Sequence, residues 1–271
     1  MLADAVAAET YKFLRQRGGL FWGFCAVPLG MLVFHLGTST WLRGRVRFAD
    51  SIDLGQYLLE GLNGGSSAFF QIFFIAGAVA IFTSEYRFET WRLLTPRNSR
   101  INLLLAKFIV YAGASGLSLL ALGAAYGLNG LYAGMIGGGL SWPAPSFLPV
   151  AAGVFLVNWA QLLVLGLFAA LVAIASRAAI GPLIATISFS FAQLFSMMVF
   201  PPWDNRWHLL AAFPGRAVYH LRFWLTGEEM GPDVHADPAL VPVAALFLLG
   251  WIVLLGTAAL ARFQRQDLSR E

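Results

Sequence analysis

Charged side chains are scarce in this sequence. Asp, Glu, Lys and Arg together make up 12% of its 271 residues, and 58% of the residues are hydrophobic. An average soluble protein has about 25% charged residues, which cover the surface over its core. Here no charged residue occurs between Lys107 and Arg177. The composition therefore excludes an ordinary soluble domain and indicates a protein whose main solvent is lipid.

Cysteine and lysine are rarer still. The single cysteine, Cys25, lies within an apolar run, which excludes an intrachain disulfide and a cysteine-based metal cluster. The two lysines, Lys12 and Lys107, follow Tyr11 and Ala106, so the Gly-Lys pair of a phosphate-binding P-loop is missing. We therefore expect neither ATP bound in that way nor any other cofactor on this chain.

Ionisable groups within the apolar segments are almost missing as well. Ion-driven carriers and channels usually place such groups inside their spans, but Lys107 is the only charge near one here. Paired histidines for haem or zinc are also lacking, because His35 ends the first apolar segment and the other three lie in one polar connection. The sequence indicates no catalytic residue and no metal site, and we expect the chain not to be an enzyme.

Six apolar segments are long enough to cross a membrane. A bilayer core about 30 Å thick takes roughly 20 apolar residues as a helix, because a spanning backbone must satisfy its own hydrogen bonds. The predicted spans cover residues 20–36, 66–82, 103–128, 148–174, 180–200 and 240–261. The second is short unless it begins near Leu58. The sequence thus predicts an all-α membrane protein in which residues 1–271 form a single transmembrane domain.

The first span has one alternative interpretation. A basic stretch with Lys12, Arg15 and Arg17 precedes it, as in a secretory signal peptide. The apolar run is longer than the roughly 7–15 residues of such a peptide, and no small-residue cleavage site follows. A membrane span is therefore the favoured interpretation.

The distribution of basic residues predicts the orientation of the spans. With the N-terminus inside, twelve of the eighteen lysines and arginines lie in cytoplasmic segments, and eight of the fourteen acids lie on the opposite side. We therefore expect a multi-pass protein of the cell (inner) membrane with both termini in the cytoplasm. The net charge of +4 follows from this topology and gives no reason to expect nucleic-acid binding.

The cytoplasmic connection after the second span, residues 84–100, has the pattern of a short amphipathic helix. A helix from Ser84 to Leu94 would place Phe88 and Trp91 on one stripe, with Ser84 as its N-cap. A helix that merely anchors the connection among lipid headgroups would have the same pattern. Both interpretations stay open from the residues alone.

This segment resembles the coupling segment of ABC type-2 exporter permeases, the group that contains drug, lantibiotic-immunity and polysaccharide exporters. An acidic residue and a threonine precede Leu-Leu, and proline, Ser-Arg and a membrane-entering lysine follow. The matching residues are Glu85, Thr90, Leu93, Leu94, Pro96, Ser99, Arg100 and Lys107. The amphipathic N-terminal segment, residues 1–17, and the tail from Arg262 to Asp267 are similar to the same family. This chain has Glu89 where the family usually has glycine.

The resemblance implies a permease half without an ATP site, which works with two copies of a separate P-loop ATPase and a second permease half, identical or homologous. ATP and Mg²⁺ would bind to the ATPase. The residues expected to contact it are Glu85, Arg87, Phe88, Trp91, Arg92, Leu94, Arg97 and Arg100. Three alternatives stay open: Glu85 pairs with Arg100, either residue pairs with lipid headgroups, or the arginines are ordinary membrane anchors.

The resemblance also implies a translocation pathway along the second and fifth spans. Aromatic side chains are frequent in the second span, and Thr186, Ser190 and Gln193 share a helical face in the fifth. The candidate pathway residues are Phe70, Phe74, Thr186, Ser190 and Gln193, which would suit a lipophilic or amphiphilic cargo. Polar side chains also commonly join neighbouring helices, so helix packing is the alternative.

The connection of residues 201–239 is expected to lie on the outer side and to form short helices at the membrane interface, because it is rich in aromatic residues. Similar exporters use this region as a cap over the exit. An ATP-driven exporter permease is the function that the sequence favours. A scaffold or accessory membrane subunit is the first alternative, and a membrane enzyme or ion-coupled carrier is the second.

Overall fold

The computed structural model of this chain describes residues 2–42, 51–88, 99–137, 139–200, 207–230 and 233–266. Its described residues are mostly helical, as expected for an all-α membrane protein. The α-helices among the described residues are α1 (Leu2–Arg15), α2 (Arg17–Leu20), α3 (Ala26–Leu42), α4 (Leu54–Asn63), α5 (Ala68–Phe88), α6 (Arg100–Gly137), α7 (Phe147–Ser176), α8 (Ile180–Val199), α9 (Trp207–Ala212), α10 (Pro214–Thr226) and α11 (Val241–Gln264). A π-helical turn, Phe21–Cys25, joins α2 to α3.

Six helical stretches among the described residues are long and apolar enough to cross a membrane. They are Arg17–Trp41, Ala68–Tyr86, Arg100–Ile136, Phe147–Ser176, Ile180–Val199 and Pro238–Gln264. Each overlaps one of the six predicted spans, so the number and order of the spans are confirmed. The described N-terminal helix and the end of α11 lie at the same end of the bundle, as an even number of spans requires. The side of the membrane that this end faces stays a prediction.

The second span begins at Ala68 and does not extend back to Leu58. Residues before it form a separate helix, α4, which Asp53 caps by accepting hydrogen bonds from the backbone N–H groups of Gly55 and Gln56. A 3₁₀ turn, Gly64–Ser66, then redirects the chain into α5. The two-residue strands β1 (Ile52–Asp53) and β2 (Leu140–Ser141) pair in parallel beside α4.

Helix α6 is longer than its predicted span because it continues past Leu128. Its 38 residues correspond to about 57 Å at 1.5 Å per residue, well beyond a bilayer core of about 30 Å. A glycine in this extension leaves room for α4: a Cβ added to Gly130 would lie 2.9 Å from Tyr57 Cγ. The extension therefore serves to hold α4 against the bundle.

Close contact between the first two spans sets the centre of the core. A Cβ on Gly23 would lie 2.5 Å from Gly77 Cα, so only glycine permits this backbone approach. Phe24, in the same π-helical turn, packs edge-to-face against Phe74 and Tyr111. A π-helical turn shifts the register of the residues that follow it, and here it directs Phe24 into the core.

Candidate functional site

Four oppositely charged side chains from three helices meet at one end of the bundle. Glu9 and Lys12 come from α1, Glu85 from the last turns of α5, and Lys107 from α6, two turns after its start at Arg100. We call this end, formed by residues 2–20, 83–88, 99–107, 174–183 and 260–266, the charged end. We call the four side chains the charge network.

Each carboxylate in the charge network bridges both ammonium groups. Lys107 Nζ lies 2.5 Å from Glu85 Oε2 and 3.2 Å from Glu9 Oε2. Lys12 Nζ lies 2.5 Å from Glu85 Oε1 and 2.6 Å from Glu9 Oε1. The charges alternate in sign around a closed ring and sum to zero. All four contacts join opposite charges, so the arrangement fixes how α1, α5 and α6 meet.

Burial makes this network unusual for a chain with so few charges. The side chains of Lys107 and Glu85 are 2% and 1% exposed, and Glu9 is 8% exposed. Lys107 also donates hydrogen bonds to Ile81 O at 2.6 Å and to Ser84 Oγ at 3.3 Å. A buried charge is tolerated only when it is paired and hydrogen-bonded, and the network meets both conditions.

Lys12 is the member of the network that water can reach, since its side chain is 36% exposed. Burial favours its neutral form, but the attraction of Glu85 and Glu9 outweighs this effect and raises the pKa of Lys12. A raised pKa means that folding favours the charged form. Its contribution is complete below the ordinary lysine value of 10.5 and is lost only at higher pH. Lys12 therefore stays charged at any physiological pH.

The local sequence explains how the four side chains reach each other. On α1, Ala5, Glu9 and Phe13 follow one another at i, i+4 and i+8 and form its buried face. Lys12 lies one turn after Glu9 on the neighbouring face. The helix thus lies against α6 with its apolar residues and two charges directed inward.

Helix α5 corrects one expectation about the coupling segment, residues 84–100. Ser84 is not an N-cap, because the helix of the second span continues without a break from Ala68 to Phe88. The Ser84 hydroxyl lies inside this helix, 3.1 Å from Ile81 O and 2.7 Å from Glu85 Oε2. No glycine or proline interrupts the chain between the span and Phe88, so the helix has no reason to end at the membrane.

A second set of contacts ties the charged end to the end of α11. The Arg100 guanidinium donates to the carbonyl groups of Phe263, Gln264 and Gln266, at 3.4, 3.1 and 2.6 Å. The Tyr86 hydroxyl donates to Gln266 Oε1 at 2.9 Å. Carbonyl groups at a helix C-terminus lack partners within the helix, and Arg100 supplies them. Tyr86 and Arg100 therefore anchor both sides of residues 89–98 to the same helix end.

These contacts also decide the alternative in which Glu85 pairs with Arg100. Glu85 is bonded to Lys12 and Lys107, and Arg100 to backbone carbonyl groups, so that pairing is wrong. The carboxylate of Glu85 lies inside the chain, where it positions helices. Among the other predicted contact residues, Arg87 and Phe88 lie in the last turn of α5. Trp91, Arg92, Leu94 and Arg97 lie outside the described residues, and their role stays a prediction.

The predicted pathway residues of the fifth span face other helices of the same chain. Thr186, Ser190 and Gln193 are all buried on one side of α8. Ser190 Oγ donates to Gln71 Oε1 of α5 at 2.5 Å, and Gln71 in turn donates to Gly65 O. This chain of hydrogen bonds favours the helix-packing alternative for these positions.

The aromatic pathway residues divide between the core and its edge. Phe74 is completely buried against Phe24, whereas Phe70 is half-buried above Gly64. The outward face of α8 is apolar instead, with Ile184, Phe195 and Met198 exposed. Among the described residues, the outward surface of the fifth span is therefore apolar, and its polar side chains are directed toward the other helices.

The charge network was not predicted from the sequence, although Lys12, Glu85 and Lys107 were noted individually. A signal existed in Glu9 and Lys12, which lie at i, i+3 next to the apolar stripe of an amphipathic helix. Glu85 and Lys107 lie near the ends of consecutive spans and carry opposite charges. Nothing local to any of these positions specifies that all four meet.

The six apolar helices and the near absence of charge within them indicate a multi-pass helical membrane protein. Comparison of the chain with protein-family models, with curated proteins and with solved structures finds no match. The function must therefore be inferred from the sequence pattern and the geometry of the charged end.

Proposed function

We propose that this chain is the membrane-spanning permease subunit of an ATP-driven exporter and that a separate ATPase binds its coupling segment, residues 84–100. The observation that carries the proposal is the anchoring of the helices on both sides of residues 89–98. On one side, Glu85 in α5 is joined to α1 and α6 through the charge network. On the other, Arg100 at the start of α6 is bonded to the end of α11.

This anchoring suits the transmission of movement. A force applied to residues 89–98 acts on helices that ion pairs and helix-capping bonds already hold together, so they respond as one body. Packed helices move in this way when a nucleotide-driven partner closes. A connection that merely anchored the protein among lipid headgroups would not need buried ion pairs at its base.

The absence of a Gly-Lys pair in the sequence supports the same division of labour, because ATP hydrolysis then requires another chain. ATP and Mg²⁺ belong to that ATPase in this proposal, and two copies would serve two permease halves. A cargo that is lipophilic or amphiphilic fits the apolar outer surface of α8.

Replacement of Trp91 by alanine tests the contact. Interface hot spots are enriched in tryptophan, and loss of a buried one costs about 2–4 kcal/mol. Trp91→Ala should therefore weaken ATPase binding by about thirtyfold or more, since each 1.4 kcal/mol is tenfold. Arg92→Ala, a matched control in the next position, should have a smaller effect that depends on salt.

The measurement is purification of the tagged chain from membranes of its own host, with the co-purifying P-loop ATPase identified by mass spectrometry and by ATP hydrolysis. Wild-type yield of that ATPase with Trp91→Ala, across a salt series, contradicts the role of Trp91. The lack of any ATPase with the wild-type chain contradicts the exporter function and favours a scaffold or accessory subunit.

A further inference from the structure

A basic cleft opens at the charged end, away from the charge network. It lies between the C-terminal ends of α7 and α11 and has a volume of about 540 Å³. Arg177, Arg262 and Arg265 line it. The other lining residues are Leu171, Ile174, Ala175, Ala258, Ala261 and Gln266. Among the residues that the structure describes, no Asp or Glu contributes to this lining.

The backbone brings the three arginines to one place. Arg262 lies in the last turn of α11, and Arg265, three residues later, is the C-cap residue of the same helix; both line the cleft. Arg177 follows the last residue of α7 in a left-handed conformation, with φ 52°, and its N–H bonds to Ala173 O. Glycine usually occupies this position because a Cβ is unfavourable there. Arg177 adopts this conformation despite its Cβ, and it adds a third guanidinium group to the cleft.

Helix capping is the ordinary reason for basic residues at a helix C-terminus. It does not account for Arg262 and Arg265, because the last carbonyl groups of α11 already accept hydrogen bonds from Arg100. Within the part of the chain that the structure describes, the guanidinium groups of Arg262 and Arg265 take part in no ion pair and no hydrogen bond. Both arginines are exposed, so their five donors each are available to an external anion.

The walls of the cleft are apolar, whereas its mouth is basic. Leu171, Ile174 and Ala258 lie one to two turns inside the candidate spans, on the membrane side of the arginines. An occupant that satisfies both parts needs an anionic group for the guanidiniums and an apolar chain for the walls. Guanidinium groups bind phosphate oxygens in bidentate geometry, and basic pockets between membrane helices bind anionic headgroups.

We propose that this cleft binds an anionic phospholipid, with its phosphate among Arg177, Arg262 and Arg265 and an acyl chain along Leu171 and Ile174. The ligand joins the ends of α7 and α11, and it approaches the bundle from the surrounding bilayer. The proposal depends on the membrane location of the chain and not on its role in export.

Lipid titration of the purified protein tests the site. The protein in detergent is titrated with phosphatidylglycerol or with phosphatidylcholine of the same acyl chains, and bound lipid is counted by native mass spectrometry. We expect at least tenfold tighter binding of phosphatidylglycerol to the wild type. The double variant Arg262→Gln/Arg265→Gln should lose this preference.

The matched control is Arg15→Gln/Arg17→Gln, which removes two positive charges from the same end without changing the cleft. It should retain the preference for phosphatidylglycerol. Arg177→Asn provides a third test, because asparagine tolerates the left-handed backbone while the guanidinium is removed. This variant should lose part of the preference even if the double variant fails to fold.

Two outcomes would overturn the proposal. Equal loss in the cleft variants and in the control would show general attraction of anionic lipid to a basic surface. Competition by millimolar inorganic phosphate that displaces the lipid completely would show a site for a free anion, to which the apolar walls contribute nothing.

Discussion

Lys107 Nζ and Glu85 Oε2 are 2.5 Å apart, and the two side chains are 2% and 1% exposed. This pair joins the second and third spans close to their shared end, and Glu9 and Lys12 extend it to the N-terminal helix. Buried ion pairs add little net stability compared with apolar residues, but they specify which helices meet. In this chain they join α1, α5 and α6 at the charged end.

Replacement of Lys107 should be far more damaging than replacement of Lys12. Lys107→Met leaves Glu85 buried with less compensation, and such a loss costs about 3–5 kcal/mol. Lys12→Met should cost less because water reaches this side chain, which is 36% exposed. The melting temperature and folded yield in detergent measure both effects. Equal losses in the two variants would contradict an interior role for Lys107.

The double variant Glu85→Gln/Lys107→Met tests whether charge balance or side-chain packing determines the stability of this region. It removes one charge of each sign and leaves Glu9 paired with Lys12 at 2.6 Å. Because no unpaired charge is then buried, it should recover part of the stability that Lys107→Met loses. A double variant no more stable than Lys107→Met would indicate that packing, and not charge balance, determines this region.

Ser190→Ala distinguishes helix packing from a translocation pathway. The change removes the hydrogen bond from Ser190 to Gln71 and leaves a buried amide with one partner fewer, which costs about 1–3 kcal/mol. Thr257→Ala is the control, because the Thr257 hydroxyl is exposed and bonds only to its own helix. We expect a lower melting temperature for Ser190→Ala alone. An unchanged melting temperature together with altered transport would restore Ser190 to the pathway.

His220 should make the stability of the outer helices depend on pH. Its side chain is completely buried in α10, and burial lowers its pKa from the ordinary value of 6.5. Nε2 carries the proton that is donated to Asp237 O at 3.0 Å, since a carbonyl group can only accept. Among the described residues, Nδ1 has no hydrogen-bond partner. Protonation at Nδ1 therefore adds a buried charge, and the attraction of Asp237 offsets only part of the cost of its burial.

The sign of the effect follows from this lowered pKa. The unfolded chain binds the proton more readily, so stability is complete above about pH 6.5 and falls as the pH decreases below it. Melting temperatures between pH 5 and pH 8 measure this slope. His220→Gln should remove most of it, and His208→Gln, on the exposed surface of α9, should retain it. The same slope in both variants would assign the pH dependence to other groups.

Cysteine labelling tests the predicted orientation. In a Cys25→Ala background, single cysteines at Asn98 and Ser269 should react with an impermeant reagent only after the membrane is opened, and one at Asp233 should react in intact cells. The reason is the collection of basic residues in the segments next to Asn98 and Ser269. Reaction of all three at the same rate in intact cells would overturn this topology.

The spans were predictable because hydropathy is a local property of the chain. The residues at which the spans begin and end were less predictable. The prediction ended the third span at Leu128, where the next residue is polar Asn129, but α6 continues because α4 packs on Gly127 and Gly130, on either side of that point. The start of the second span at Ala68 likewise depends on the turn Gly64–Ser66, which apolar content does not reveal.

The candidate site was less predictable because its contacts join distant parts of the sequence. The helical face of Thr186, Ser190 and Gln193 was recognised, but periodicity does not tell whether a polar face lines a pathway or meets Gln71 of another helix. The same limit applies to Glu85, which was expected to contact the ATPase, with Arg100 or lipid headgroups as alternative partners, and which pairs with Lys12 and Lys107. Spacing defines which residues share a face, and tertiary packing defines what that face contacts.

The charge network also has a consequence for biosynthesis. Lys12 and Glu85 are 73 residues apart in the chain, so the first span leaves the ribosome long before the network can close. A lone lysine within a span opposes insertion, although less near the end of the span, where Lys107 lies, than at its centre. Because Glu85 precedes Lys107 in the chain, it is synthesised first, and we expect the pair to offset this cost. Insertion of the third span thus depends on the second, and the order of translation helps to determine the order of assembly.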